Sequence, residues 1–77
     1  MISSLDTIAL AILGANLIID ARSVRQEDIE QLAAITKSNG RQLIIKNSHV
    51  KGRNDLEKII KIGKGCVVLD LTLSTRI

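Results

Sequence analysis

The sequence predicts an α/β fold: a short αβ-repeat solenoid in the order α-β-α-β-α-β, whose three-stranded parallel sheet (order 1-2-3) carries three helices on one face. Three observations predict it. The chain contains three short apolar runs followed by a polar residue, Leu17-Ile18-Ile19-Asp20, Leu43-Ile44-Ile45-Lys46 and Val67-Val68-Leu69-Asp70. Each run is preceded by a helical half-turn pattern, Leu5-x-x-Ile8-Ala9, Ile29-x-x-Leu32-Ala33 and Leu56-x-x-Ile59-Ile60, and by a glycine stop. The units recur every 24 to 27 residues. A helix-then-strand unit of that length cannot bury its own apolar faces, so neighbours must stack. Strands joined through a helix are parallel, and right-handed crossovers put all the helices on one side when the strands lie in sequence order.

The elements follow in order. From Ser3 or Ser4 to Leu13, the residues Leu5, Ile8, Ala9, Ile12 and Leu13 line one face of a helix, with serine at its start and Gly14 at its end. Asn16 to Ala21 is the first strand. Ser23 and Gln26 have capping-box spacing for a second helix from Arg25 to Ser38, with Ile29, Leu32 and Ala33 inward and Asn39-Gly40 as its stop. Gln42 to Asn47 is the second strand, and Ser48 to Arg53 a loop. Asn54, with Glu57 three residues on, opens a third helix with Leu56, Ile59 and Ile60 inward, closed by Gly63 and Gly65. Cys66 to Leu71 is the third strand, and Thr72 to Ile77 carry no signal.

The chain therefore reads as one domain over residues 1–77, with repeats at about 3–22, 23–48 and 49–72. Period and arrangement resemble the leucine-rich-repeat class of β/α solenoids, in shape and period only. Gly14 and Gly40 stand where that consensus has leucine, and Arg22, Ser48 and Thr72 where it has asparagine. No functional residue is carried over from that class.

At 77 residues the chain buries little more than ~60% of the surface its unfolded form exposes, so a stabilising addition is expected. One cysteine, Cys66, excludes an internal disulfide, and one histidine, His49, leaves no closed zinc site. Association is what remains. The chain is 45% apolar without any Phe, Tyr or Trp, so Ile, Leu, Val and Ala must build the core. A lone thiol suits a reducing compartment. The apolar stretch Ile2 to Leu13 has no basic leader, contains Asp6 and is too short to span a bilayer; the reading is cytoplasmic, with no membrane partner. The net charge of +3 is unevenly spread. Up to Ile35 five acids face two bases, giving −3, and from Thr36 onward nine bases face three acids, giving +6. Such polarity favours head-to-tail contact between copies, or an acidic partner.

Alternation along the strands predicts what the bare sheet face shows. Leu17, Ile19, Leu43, Ile45, Val67, Leu69 and Leu71 point at the helices. The opposite face carries successive rows: Asn16, Gln42 and Cys66; Ile18, Ile44 and Val68; Asp20, Lys46 and Asp70; Arg22, Ser48 and Thr72. The charged row reads minus, plus, minus, and its plainest role is to hold register between neighbouring strands. The apolar row is a stripe that no helix of this chain covers, which marks a contact surface. Helix 1 adds Ile2, Leu10 and Ala11 beyond its expected core face, where the end of a solenoid normally wears a polar cap.

Other motifs carry no chemistry. Gly63-Lys64-Gly65 follows a helix and precedes a strand, the reverse of a phosphate loop, and reads as a helix stop. Cys66 has no base placed to activate it. Lys37, Arg41, Lys46, Lys51, Arg53, Lys58, Lys61 and Lys64 make the second half basic, but without aromatic residues there is no stacking platform for single-stranded nucleic acid. The expectation is a non-enzymatic protein without cofactor or metal. It associates with copies of itself into an oligomer or filament, the alternatives being an adaptor that binds another protein through the sheet face and a weak nucleic-acid binder.

Overall fold

The computed structural model describes residues 3–72, so the expectations for Ile2 and for a further strand beyond Thr72 lie outside the described residues. The order is α1 (Ser4–Ile12), β1 (Leu17–Asp20), α2 (Gln26–Ser38), β2 (Leu43–Lys46), a 3-10 turn (Ser48–Val50), α3 (Arg53–Gly63) and β3 (Val67–Leu69). The three strands form one parallel sheet in the order β1-β2-β3. Its register pairs Leu17 with Leu43 and Val67, and Ile18 with Ile44 and Val68.

Two layers result. Ile19, Leu43 and Ile45 are buried from the sheet side, and Ala11, Ile29, Leu32, Ala33 and Ile59 from the helix side, with Leu17, Val67 and Leu69 packed at the margin. Each fully buried large aliphatic side chain, such as Ile29 or Leu43, contributes about 1.5–3 kcal/mol by leaving water. Helix α2 lies in the middle of the helical layer, between α1 and α3. It buries Ile29, Leu32 and Ala33 as its spacing predicts, and also Thr36, whose hydroxyl donates to the carbonyls of Leu32 (3.0 Å) and Ala33 (3.2 Å). A buried hydroxyl is tolerated when it is paired in this way.

The helix ends differ from the sequence reading. Ser3 caps α1 in a capping box with Asp6, its hydroxyl accepting from the Asp6 N–H and the Asp6 carboxylate from the Ser3 N–H. The box expected of Ser23 and Gln26 does not form. Arg25 occupies the cap of α2, and the Gln26 amide instead donates to the Glu30 carboxylate (2.8 Å) and across to the Asp55 carbonyl (3.1 Å), tying α2 to α3. Gly52, not Asn54, caps α3. At the other ends, Gly14 (φ +100°) and Gly40 (φ +67°) supply the left-handed conformation that stops α1 and α2. In the third unit neither glycine does so, and Lys64 takes φ +39°.

Two helices are also turned about their axes. On α1 the inward residues are Ile8 and Ala11; Leu5, Ala9, Ile12 and Leu13 face solvent. Ala11, expected outside, is 0% exposed. The reason is steric, since a methyl side chain lets α1 approach α2 closely enough for the Asn39 amide to donate to the Ala11 carbonyl at 3.0 Å. On α3 the inward set is Leu56, Ile59 and Ile62 rather than Ile60, which is exposed. Gly63 sets that rotation: a side chain there would lie 2.3 Å from a Val67 methyl and 3.3 Å from Ala33.

Candidate interaction surface

The uncovered sheet face is laid out row by row. Ile18, Ile44 and Val68 share one register line, with Ile18 66% and Val68 39% exposed. Ile44, between them on the central strand, is half-buried, and no helix lies over this face among the described residues. On one side lie Asn16 and Gln42, joined where the Gln42 N–H donates to the Asn16 side-chain oxygen at 2.8 Å. On the other lie Asp20, Lys46 and Asp70.

The charged row is not a ladder of cross-strand ion pairs. Asp20 is held by Arg22 of its own strand end: the guanidinium donates to both carboxylate oxygens (3.2 and 3.0 Å) and the Arg22 N–H adds a third bond at 2.8 Å. Asn47, in the left-handed conformation at φ 58°, donates its side-chain amide to the same carboxylate at 3.1 Å. The Arg22 guanidinium, followed by its backbone N–H, holds the Asp20 carboxyl well below the usual carboxylate range, and Asp20 in turn raises Arg22. Asp70 repeats the turn, its carboxylate accepting from the Thr72 N–H at 2.9 Å. That bond, helped by the Thr72 side chain and by the nearby charge of Lys46, lowers Asp70. Ser48, expected on this face, is buried, and its hydroxyl donates to the Ile45 carbonyl at 2.7 Å.

The second surface is α1. Leu5, Ile12 and Leu13 are 78%, 62% and 83% exposed, and Leu10 and Ala9 are exposed beside them. With Ile8 and Ala11 inward, α1 is apolar over most of its circumference, broken by Asp6, its one charge, and by Thr7. Such a helix belongs in an interior. Its expected outward residue Leu10 lies on this surface, whereas Ala11 does not.

The charge asymmetry of the chain falls elsewhere in space than its order suggests. Glu27, Asp28 and Glu30 sit at the start of the middle helix, with Arg25 3.6 Å from Asp28. The α3 end is basic, with Lys58, Lys61 and Lys64 exposed. Among the described residues no cavity opens, no three His, Cys, Asp or Glu side chains converge, and no helix is long and apolar enough to cross a membrane.

The fold and this surface define a small α/β protein with a three-stranded parallel sheet, bare on one face and apolar at one end. No protein-family model, curated protein or solved structure matches the chain.

Proposed function

We propose that this chain is a non-enzymatic, self-associating structural protein of the cytoplasm, a short β/α repeat whose copies join through surfaces that one copy leaves apolar. One observation carries the reading: the terminal helix α1 shows Leu5, Ile12 and Leu13 to solvent while its opposite side is already in the core. A soluble monomer exposes scattered apolar residues, but a contiguous helical stripe marks a contact. The repeat reading supports the same conclusion, because a stack that lacks a polar cap at one end exposes what the next unit would cover. A second reading, an adaptor that binds a different protein through the sheet face, is favoured by the stripe Ile18, Ile44 and Val68.

Light scattering on the eluate of a sizing column, over a range of protein concentration, separates the two. Self-association gives a mass above 8.4 kDa that rises with concentration. Leu13→Glu should return it to the monomer with an unchanged circular dichroism spectrum, since burying one leucine contributes about 1.5–3 kcal/mol, at least roughly tenfold in affinity. A parent chain that stays monomeric throughout, or a variant that assembles as the parent does, refutes the proposal.

A further inference from the structure

We infer that two copies close about a two-fold axis through the free edge of β1 and the outer side of α1, giving a six-stranded sheet and a dimer in place of an open filament. This rests on the self-association reading and adds to it the surface and the symmetry. The first premise is the sheet edge. β1 is an edge strand, and the N–H groups of Leu17 and Ala21 donate inward to the carbonyls of Gln42 and Lys46. Backbone groups alternate along a strand, so the N–H and C=O of Ile18 and the N–H of Asp20 point to the free edge.

An antiparallel pairing centred on Ile18 uses all of these groups. Each Ile18 N–H meets the other copy's Ile18 carbonyl, and each Asp20 N–H meets the other copy's Asn16 carbonyl. The apolar row then runs unbroken across both sheets, from Val68 through Ile44 and Ile18 to the same residues of the second copy. Asp20 stands opposite Asn16, not opposite another carboxylate. Above the sheet, the same axis sets the two α1 helices antiparallel, with Leu5, Ile12 and Leu13 against their counterparts and the small Ala9 between them.

The head-to-tail alternative fails on the same rows. Joining β3 of one copy to β1 of the next, with Val68 beside Ile18, puts Asp70 beside Asp20, and like charges on neighbouring strands repel. It also lays the apolar side of α1 against α3, which exposes Lys58 and Lys61 beside Ile60, and those ammonium groups would lose water in the contact. The β1 end joins and the β3 end does not, so the assembly closes at two copies.

The test uses single cysteines in a Cys66→Ser background, which removes the only thiol. Residues opposed in a hydrogen-bonded antiparallel pair have Cα atoms about 5.5 Å apart, within disulfide reach. Under mild oxidation, Ile18→Cys should double the 8.4 kDa mass and stop there, whereas Ile60→Cys, on α3, should remain a single chain. Ile18→Pro removes an edge N–H that β1 does not use within its own sheet, and should give a monomer with the parent's circular dichroism. If the parent assembles but Ile18→Cys stays single, or Ile60→Cys links as readily, or Ile18→Pro still dimerises, the inference is overturned while self-association stands. A parent chain that is monomeric at every concentration overturns both.

Discussion

Gly63→Ala tests the packing that fixes α3 against the sheet. Two terms oppose each other. Alanine favours a helix over glycine by up to about 1 kcal/mol in the interior, and less at the last residue of α3, where Gly63 lies. Against this, the new methyl would sit 2.3 Å from a Val67 methyl, 3.3 Å from the Ala33 methyl and 3.5 Å from the Val67 Cβ. Three contacts on two elements leave no single direction of escape. Overpacking of this kind costs about 1–3 kcal/mol. The packing term wins, for a net loss of roughly 1–2 kcal/mol, which is about 4–16 °C in Tm for a domain of this size. The assay is urea and thermal unfolding followed by circular dichroism, with protein concentration held fixed because association stabilises the folded state. Val67→Ala removes the nearest clash, so the double variant should lose less than the two single losses added together. A Gly63→Ala protein as stable as the parent, or additive losses in the double variant, would refute the account of how α3 is seated.

The neighbouring position predicts the opposite sign. Lys64→Gly relieves a side chain held at φ +39°, ψ −167°, where non-glycine residues are strained by about 1–3 kcal/mol, and should raise the urea midpoint; a lowered midpoint would mean that Lys64 is not strained. The third prediction concerns acid. Asp20 and Asp70 titrate lower in the folded chain than in the unfolded one, so the unfolded chain binds more protons as pH falls. Their contribution is complete above the ordinary carboxylate pKa and is lost as pH drops from about 4 downward. Asp20→Asn should be less stable than the parent at pH 7 and should lose less between pH 7 and pH 3; parallel pH profiles would mean that the Arg22 fork contributes nothing.

Strand positions were legible because alternation leaves one choice. Once Ile19 and Ile45 face the helices, Ile18 and Ile44 must face away, and the register follows from like residues standing side by side. Helix α2 was legible for a related reason, since Glu27, Gln31, Lys37 and Ser38 leave it one apolar side. Helix α1 was not. With Leu5, Ile8, Ala9, Leu10, Ala11, Ile12 and Leu13 around its circumference, periodicity cannot choose the inner side. The choice fell to size, since Ala11 admits the closest approach to α2. On α3 it fell to Gly63, a residue with no hydrophobic signal. The fork on Asp20 did leave a sign: Asp favours a turn two residues on, where Arg22 stands. Asn47 left one too, because Asn tolerates the left-handed conformation that carries its amide to Asp20.

Charge along the chain and charge in space are different quantities, and the difference decides what kind of assembly to expect. Counted in order, the first half is acidic and the second basic, which suggests head-to-tail attraction. In the fold three of the acids lie at the start of α2 in the middle of the molecule, and Asp20 is already matched by Arg22. On α1 itself, among the described residues, Asp6 is the one charged side chain, and most of the others are apolar. At physiological ionic strength a charge acts over about 8 Å. The acids of α2 therefore do little for a contact made across α1, where apolar area governs. Steering by whole-molecule charge and adhesion by local surface point in different directions here, and at contact distance the local surface dominates.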